Sequence, residues 1–206
     1  MRTWIIGSTS EYSKAVADRC HGVTKFGRDN IDYGASFESF IKKQQYLPNQ
    51  IFINIGIEEK VSTTADALDI DWNEMFAKFM PTFLWKHRLY SYFYKQNIPC
   101  IICDVTSSIT SWPQNFREHL PYSVLRAMGQ QTIKAHNTDI LRLFQVSPNG
   151  ITEERLDEYA DKTVSWMNNP DLVITNNPDL GGLNKGNYIV DLDTNNLVGV
   201  EILETE

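Results

Sequence analysis

The chain has 206 residues, 42% hydrophobic and 22% charged, with a formal net charge of −7. That length holds one large domain with a substantial core and is short for two. The acidic balance excludes a general nucleic-acid binder, whose phosphate contacts need clustered Lys and Arg, and it disfavours an anionic membrane surface.

No apolar run approaches the roughly 20 residues that cross a bilayer. The opening residues from Met1 to Gly7 read as a strand rather than a signal peptide. Three cysteines (Cys20, Cys100 and Cys103) make no disulfide framework, so a reducing, cytoplasmic setting is expected. Cys100 and Cys103 form a C-x-x-C, but inside an apolar strand residues three apart face opposite sides and cannot chelate one ion together. They read as core thiols.

In chain order the strands are expected at Thr3–Ile6, Val23–Phe26, Gln50–Ile55, Cys100–Val105, Ile140–Val146 and Tyr188–Leu192. Between them the spacing predicts helices at Tyr12–Cys20, Ser36–Gln45, Trp72–Gln96, Ser123–Asn137 and Glu153–Asn168. Several strands are continuous apolar runs, as parallel strands covered on both faces require. The alternation predicts an α/β fold: a Rossmann-like doubly wound parallel β-sheet in three layers (α/β/α), one domain over residues 1–206. Ser36 and Thr152 stand where N-caps are expected, and Asn169-Pro170 stops the last long helix.

The first segment that carries chemistry runs from Ile5 to Ala17. A strand ends at Gly7 and a helix opens about five residues later, so a phosphate there would meet free N–H groups and the positive end of a helix dipole. Glu11 places a carboxylate near that position. The second segment, Phe26-Gly27-Arg28-Asp29, ends the second strand, beside the adenine ribose of any bound dinucleotide. Arg28 offers a guanidinium suited to a 2′-phosphate. The third is Ile53-Asn54-Ile55-Gly56, a buried strand leaving through a glycine. The fourth joins Thr106-Ser107-Ser108 at the end of a strand to Tyr122, with Arg126 one helical turn further on.

Taken together, these segments resemble the short-chain dehydrogenase/reductase family. The resemblance covers almost the whole chain in the family's order. Gly7 to Ser13 is similar to the glycine-rich cofactor loop, with Glu11 and Ser13 in place of its second and third glycines. Asn54 and Gly56 match the N-N-A-G motif that ends the family's fourth strand. Ser107 or Ser108 stands at the catalytic serine of the fifth, and Tyr122 with Arg126 matches Y-x-x-x-K with arginine for lysine. Ser147-Pro148-Asn149-Gly150 resembles the V-x-P-G turn with Asn149 inserted, and Gly186–Asp191 resembles the last strand.

The resemblance implies an NAD(P)(H)-dependent oxidoreductase acting on a carbonyl or alcohol by hydride transfer. Ser108 (or Ser107) would polarise the substrate oxygen, Tyr122 would exchange the proton, and the Arg126 cation would lower the Tyr122 pKa. Gly7, Ser8, Thr9, Ser10, Tyr12, Ser13, Gly27, Arg28, Asn54, Ile55, Gly56, Tyr122, Arg126, Pro148 and Gly150 would bind the cofactor, NADP(H) in preference to NAD(H). No metal is implied.

The position of the family's relay asparagine falls near Phe79. With Glu11 and Arg126, it supports a second reading: a non-catalytic binding or assembly relative with no cofactor bound. The long helix, with Phe76, Phe79, Met80, Phe83 and Leu84 at helical spacing, is expected to carry a homodimer or homotetramer interface through residues 72–96. A small-molecule substrate is expected, its identity set by the loop at 169–185.

Overall fold

The computed structural model describes residues 1–27, 29–55, 71–106, 140–148, 151–170, 189–192 and 197–198, together with 124, 127–129, 132, 133, 136 and 138. The elements follow in order: β1 (Thr3–Ile6), α1 (Glu11–Arg19), β2 (Val23–Phe26), α2 (Phe37–Lys42), β3 (Gln50–Ile53), α3 (Trp72–Lys95) and β4 (Cys100–Val105). Next come β5 (Leu141–Ser147), α4 (Glu153–Asn168), β6 (Ile189–Asp191) and β7 (Leu197–Val198). Residues 124, 127–129, 132, 133 and 136 are also helical.

These strands form one sheet in the order β2-β1-β3-β4-β5-β6-β7. Every neighbouring pair is parallel except β6 and β7, which are antiparallel. The continuous apolar runs explain the layering. Ile5, Phe52, Cys103, Phe144 and Val146 point to one face, where Tyr12, Ala15 and Val16 of α1 and Tyr159, Ala160 and Met167 of α4 cover them. Trp4, Ile6, Ile51, Ile53, Ile102 and Leu143 point to the other, under Phe37 of α2 and Trp85, Leu89, Tyr90 and Phe93 of α3. Period-two alternation thus feeds two cores from the central strands, and the three-layer expectation holds.

Cys100 packs in the second core and Cys103 in the first, so the two thiols do lie on opposite faces. Both are buried, and burial pushes both thiols well above the ordinary range.

At its edges the sheet differs from the standard doubly wound order. The standard doubly wound order has a strand outside β2, but the described residues after β2 hold none, and α2 leads directly to β3. At the far edge β7 turns back against β6. A two-residue strand is too short to leave a periodic signal. Ser36 and Thr152 precede α2 and α4, yet neither side chain caps its helix, and the Ser36 hydroxyl donates to Glu38 instead, at 2.6 Å. The side-chain caps are Ser10 on α1 and Asp71 on α3. No helix among the described residues is long and apolar enough to cross a membrane.

Trp85 anchors the second core. It is 1% exposed and meets Tyr33, Phe37 and Phe40 in edge-to-face contacts with centroids 5.3–5.6 Å apart. Trp85→Ala should therefore cost about 3–5 kcal/mol in denaturant unfolding. The exposed neighbour Leu84 serves as control: Leu84→Ala should stay within about 0.5 kcal/mol.

Candidate functional site

In a doubly wound sheet a ligand crevice opens where successive connections leave a strand in opposite directions. Here the chain passes from β1 outward to β2, then returns to place β3 on the other side of β1. Ile6 and Ile53 are register partners, so Gly7 and Asn54 leave the sheet side by side at its carboxyl edge.

Their contact is unusually close. Gly7 has φ of +80°, and a Cβ built there would lie 2.1 Å from the Asn54 carbonyl oxygen. Only glycine fits such a position. The Asn54 amide N–H group then donates to Ser10 Oγ at 2.8 Å and to Ser13 Oγ at 3.1 Å. Ser13 Oγ donates to the Gly7 carbonyl at 2.7 Å, so in the 2.9 Å contact between the two hydroxyls Ser10 is the donor. Ser10 Oγ also accepts from the Ser13 N–H at 3.1 Å, which caps α1. The amide and both hydroxyls are consumed inside this knot.

That changes the roles expected of several residues. The Ser10 and Ser13 side chains bind the loop to itself, Ser13 buried and Ser10 at the surface. The Tyr12 ring is also turned away: it is 1% exposed, its hydroxyl lies 2.6 Å from Thr163 Oγ1 beneath α4, and burial raises its pKa. Beside these side chains the loop offers backbone donors, since the first-turn N–H groups of a helix have no intrahelical acceptor. Glu11 is less of an obstacle than its position implied. Its carboxylate is exposed and paired with Lys14 at 2.5 Å.

The β2 end closes the same crevice. The N–H groups of Gly7 and Ser8 both donate to the Phe26 carbonyl, at 2.9 and 3.2 Å. A Cβ on Gly27 would stand 3.5 Å from Ser8 Oγ and 3.7 Å from Thr9 Cγ2. Gly27 is held in a turn, its N–H donating to Asn30 Oδ1 at 3.1 Å. Arg28 lies outside the described residues, as do Gly56, Ser107, Ser108, Tyr122, Arg126 and Gly150. Ile55 and Pro148 are half-buried where they leave β3 and β5.

Further along the edge stands a group that the motifs did not indicate. Asp104 on β4 is buried, with Oδ2 2.5 Å from Lys86 Nζ and 3.2 Å from the donating Tyr90 hydroxyl, both on α3. A lone carboxylate inside Cys-Ile-Ile-Cys-Asp-Val was the available signal, because a buried charge demands a partner. Phe79, at the expected relay position, is half-buried and stacks on Phe83 with centroids 5.7 Å apart.

Gly7→Ala tests the knot. The positive φ alone should cost about 1–3 kcal/mol, and relieving the overlap with Asn54 adds to it. The variant should melt well below wild type, whereas Ser8→Ala should melt with it.

No protein-family model and no curated protein matches the sequence. Solved structures do match in shape. A carbonyl reductase from Pseudomonas aeruginosa PAO1, also known in complex with NADP, superimposes with a TM-score of 0.67 at 13% identity, covering 96% of this chain and 100% of that one. A short chain dehydrogenase from Bacillus anthracis gives 0.62 at 12% identity, over 82% of this chain and 90% of its own. A 3-oxoacyl-[acyl-carrier protein] reductase with bound NAD from Brucella melitensis gives 0.57 at 13%, over 81% and 83%. The crevice between β1 and β3 therefore belongs to a chain built on the short-chain dehydrogenase/reductase fold.

Proposed function

We propose that the chain is a short-chain dehydrogenase/reductase-type oxidoreductase that transfers a hydride between a nicotinamide dinucleotide and a carbonyl or alcohol. One observation carries this reading. At the switch point of the sheet, a glycine that tolerates no side chain brings β3 against the amino end of α1, where first-turn N–H groups are free, with the Asn54 amide and the Ser10 and Ser13 hydroxyls used inside the loop. Such a surface suits a pyrophosphate, which needs close backbone approach and N–H donors. The similar structures with NADP and NAD support it.

In this reading Gly7, Ser8, Thr9 and the backbone at Ser10 and Tyr12 hold the pyrophosphate. Gly27 and Arg28 take the adenine ribose and its 2′-phosphate, so NADP(H) binds better than NAD(H). Ser108 (or Ser107) donates to the substrate oxygen, and Tyr122 gives that oxygen its proton as the hydride reaches carbon. Arg126 favours the tyrosinate and lies beside the nicotinamide ribose. Asn54, Ile55, Gly56, Pro148 and Gly150 line the cofactor's other side. The working unit is a homodimer or homotetramer built through α3, where Phe76, Phe79, Met80 and Phe83 are only half-buried and Leu84 is 39% exposed. Phe79 packed on Phe83 favours the second reading, a non-catalytic relative that keeps the fold as a binding or assembly module.

Calorimetric titration with NADPH and NADH separates these readings. Tighter binding of NADPH is expected, and Arg28→Ala should erase the preference, a loss of about 1–3 kcal/mol for a charge-assisted pair. Tyr122→Phe should abolish carbonyl reduction while leaving binding intact. A chain that binds neither cofactor would sink the first reading and leave the second; binding with no turnover of any carbonyl would do the same. Light scattering at micromolar concentration should give a dimer or tetramer mass, and a monomer would remove the α3 interface.

A further inference from the structure

Three buried oxygen atoms sit without a hydrogen-bond partner on one face of the sheet: Asp104 Oδ1, Thr106 Oγ1 and Gln145 Oε1. Their residues are 1%, 4% and 1% exposed. Asp104 and Gln145 are register partners on β4 and β5, and Thr106 follows Asp104 on the same face one pleat nearer the carboxyl edge. An unpartnered buried acceptor costs about 1–3 kcal/mol, so three together call for an occupant that supplies donors.

The nature of that occupant follows from charge and size. Lys86 neutralises Asp104 from the Oδ2 side, which leaves no net charge to attract an ion. Among the described residues the other groups beside the carboxylate are uncharged, Tyr90 on α3 and Gln145 on β5, and His136 lies beyond Tyr90 at a ring distance of 6.3 Å. The three oxygens have no solvent access, so nothing much larger than water fits. Water supplies two donors, can accept from the Thr106 hydroxyl, and typically makes about three such bonds when buried. Lys86 joins the group to the outside, since its side chain keeps 13% exposure.

We propose that Asp104, Thr106 and Gln145 hold a buried water, and that Lys86 passes protons from solvent to it through Asp104. The site stands on these residues alone; its purpose rests on the oxidoreductase reading. In sequence, Ser107 and Ser108 follow Thr106 directly. In carbonyl reduction the reduced dinucleotide gives hydride to carbon and Tyr122 gives its proton to oxygen. The tyrosinate is then reprotonated from the water, the water from Asp104 and Lys86, and Lys86 from solvent. Lys86 and Asp104 are positioning residues here, with no contact to substrate.

The test has two arms. A crystal structure that resolves ordered water should show one bonded to Asp104 Oδ1 and Gln145 Oε1; a dry site overturns the proposal. Asp104→Asn and Lys86→Gln should leave NADPH affinity by calorimetry unchanged, lower kcat roughly tenfold or more, and raise the solvent deuterium isotope effect on kcat. Should either fail to fold, Thr106→Val keeps the shape and carries the same test. A fall in cofactor affinity with an unchanged isotope effect marks a structural pair and overturns the relay. A wild-type chain that holds the water but turns over no carbonyl removes the oxidoreductase reading and the relay, and upholds the water site.

Discussion

The arrangement of the crevice depends on the Asn54 carbonyl pressed against Gly7. Two parallel strands normally diverge as they leave a sheet, but here the chain holds them in contact, and the missing Cβ of one glycine is what permits it. From that contact the rest follows in order. The Asn54 side chain is brought over the first turn of α1, the two serines are drawn into its hydrogen bonds, and α1 is fixed with its amino end facing the crevice. Asn54, Ser10 and Ser13 find their side-chain partners within the knot, which leaves the N–H groups at the amino end of α1 for a ligand.

This accounts for a loop that lacks two of the three glycines of the pattern it resembles. Ser13 replaces one of them by hydrogen bonding to the Gly7 carbonyl, tightening the turn with a side chain where the pattern relies on close backbone packing. Glu11 replaces the other at an exposed position, and its charge is balanced by Lys14 on the same helix. An exposed pair of this kind contributes little stability, but Lys14 offsets the repulsion the carboxylate would exert on an anion.

The layering was legible in the sequence because strands such as Ile51-Phe52-Ile53 and Cys100–Val105 must bury both faces, and only a parallel sheet between helices does that. α3 and α4 were legible because their apolar periodicity is long. The caps at Ser36 and Thr152 were not, since a capping residue type does not fix where its side chain turns, and Ser36 found Glu38 instead. Tyr12 was read with the cofactor loop because it follows the turn; its side chain belongs to the α1–α4 interface, which no local pattern reveals. Asn54 was legible as a position and not as the centre of a network. Asp104 and Lys86 lie 18 positions apart on different elements, and a motif scan is blind to such a pair. The chemistry assigned to Ser107 or Ser108, Tyr122 and Arg126 rests on sequence spacing, and Arg126 departs there from the pattern it otherwise follows.

The central claim is that a dinucleotide lays its pyrophosphate on the backbone exposed by this knot. The most direct measurement is a titration of isotopically labelled protein with NADPH, followed through backbone amide resonances. The amides from Gly7 to Tyr12 and that of Gly27 should shift together and saturate at one affinity, with Thr9 to Glu11 moving most because their N–H groups are left for the phosphates. Saturable binding that leaves those amides in place while others move would contradict the claim, and so would no shift at any NADPH concentration.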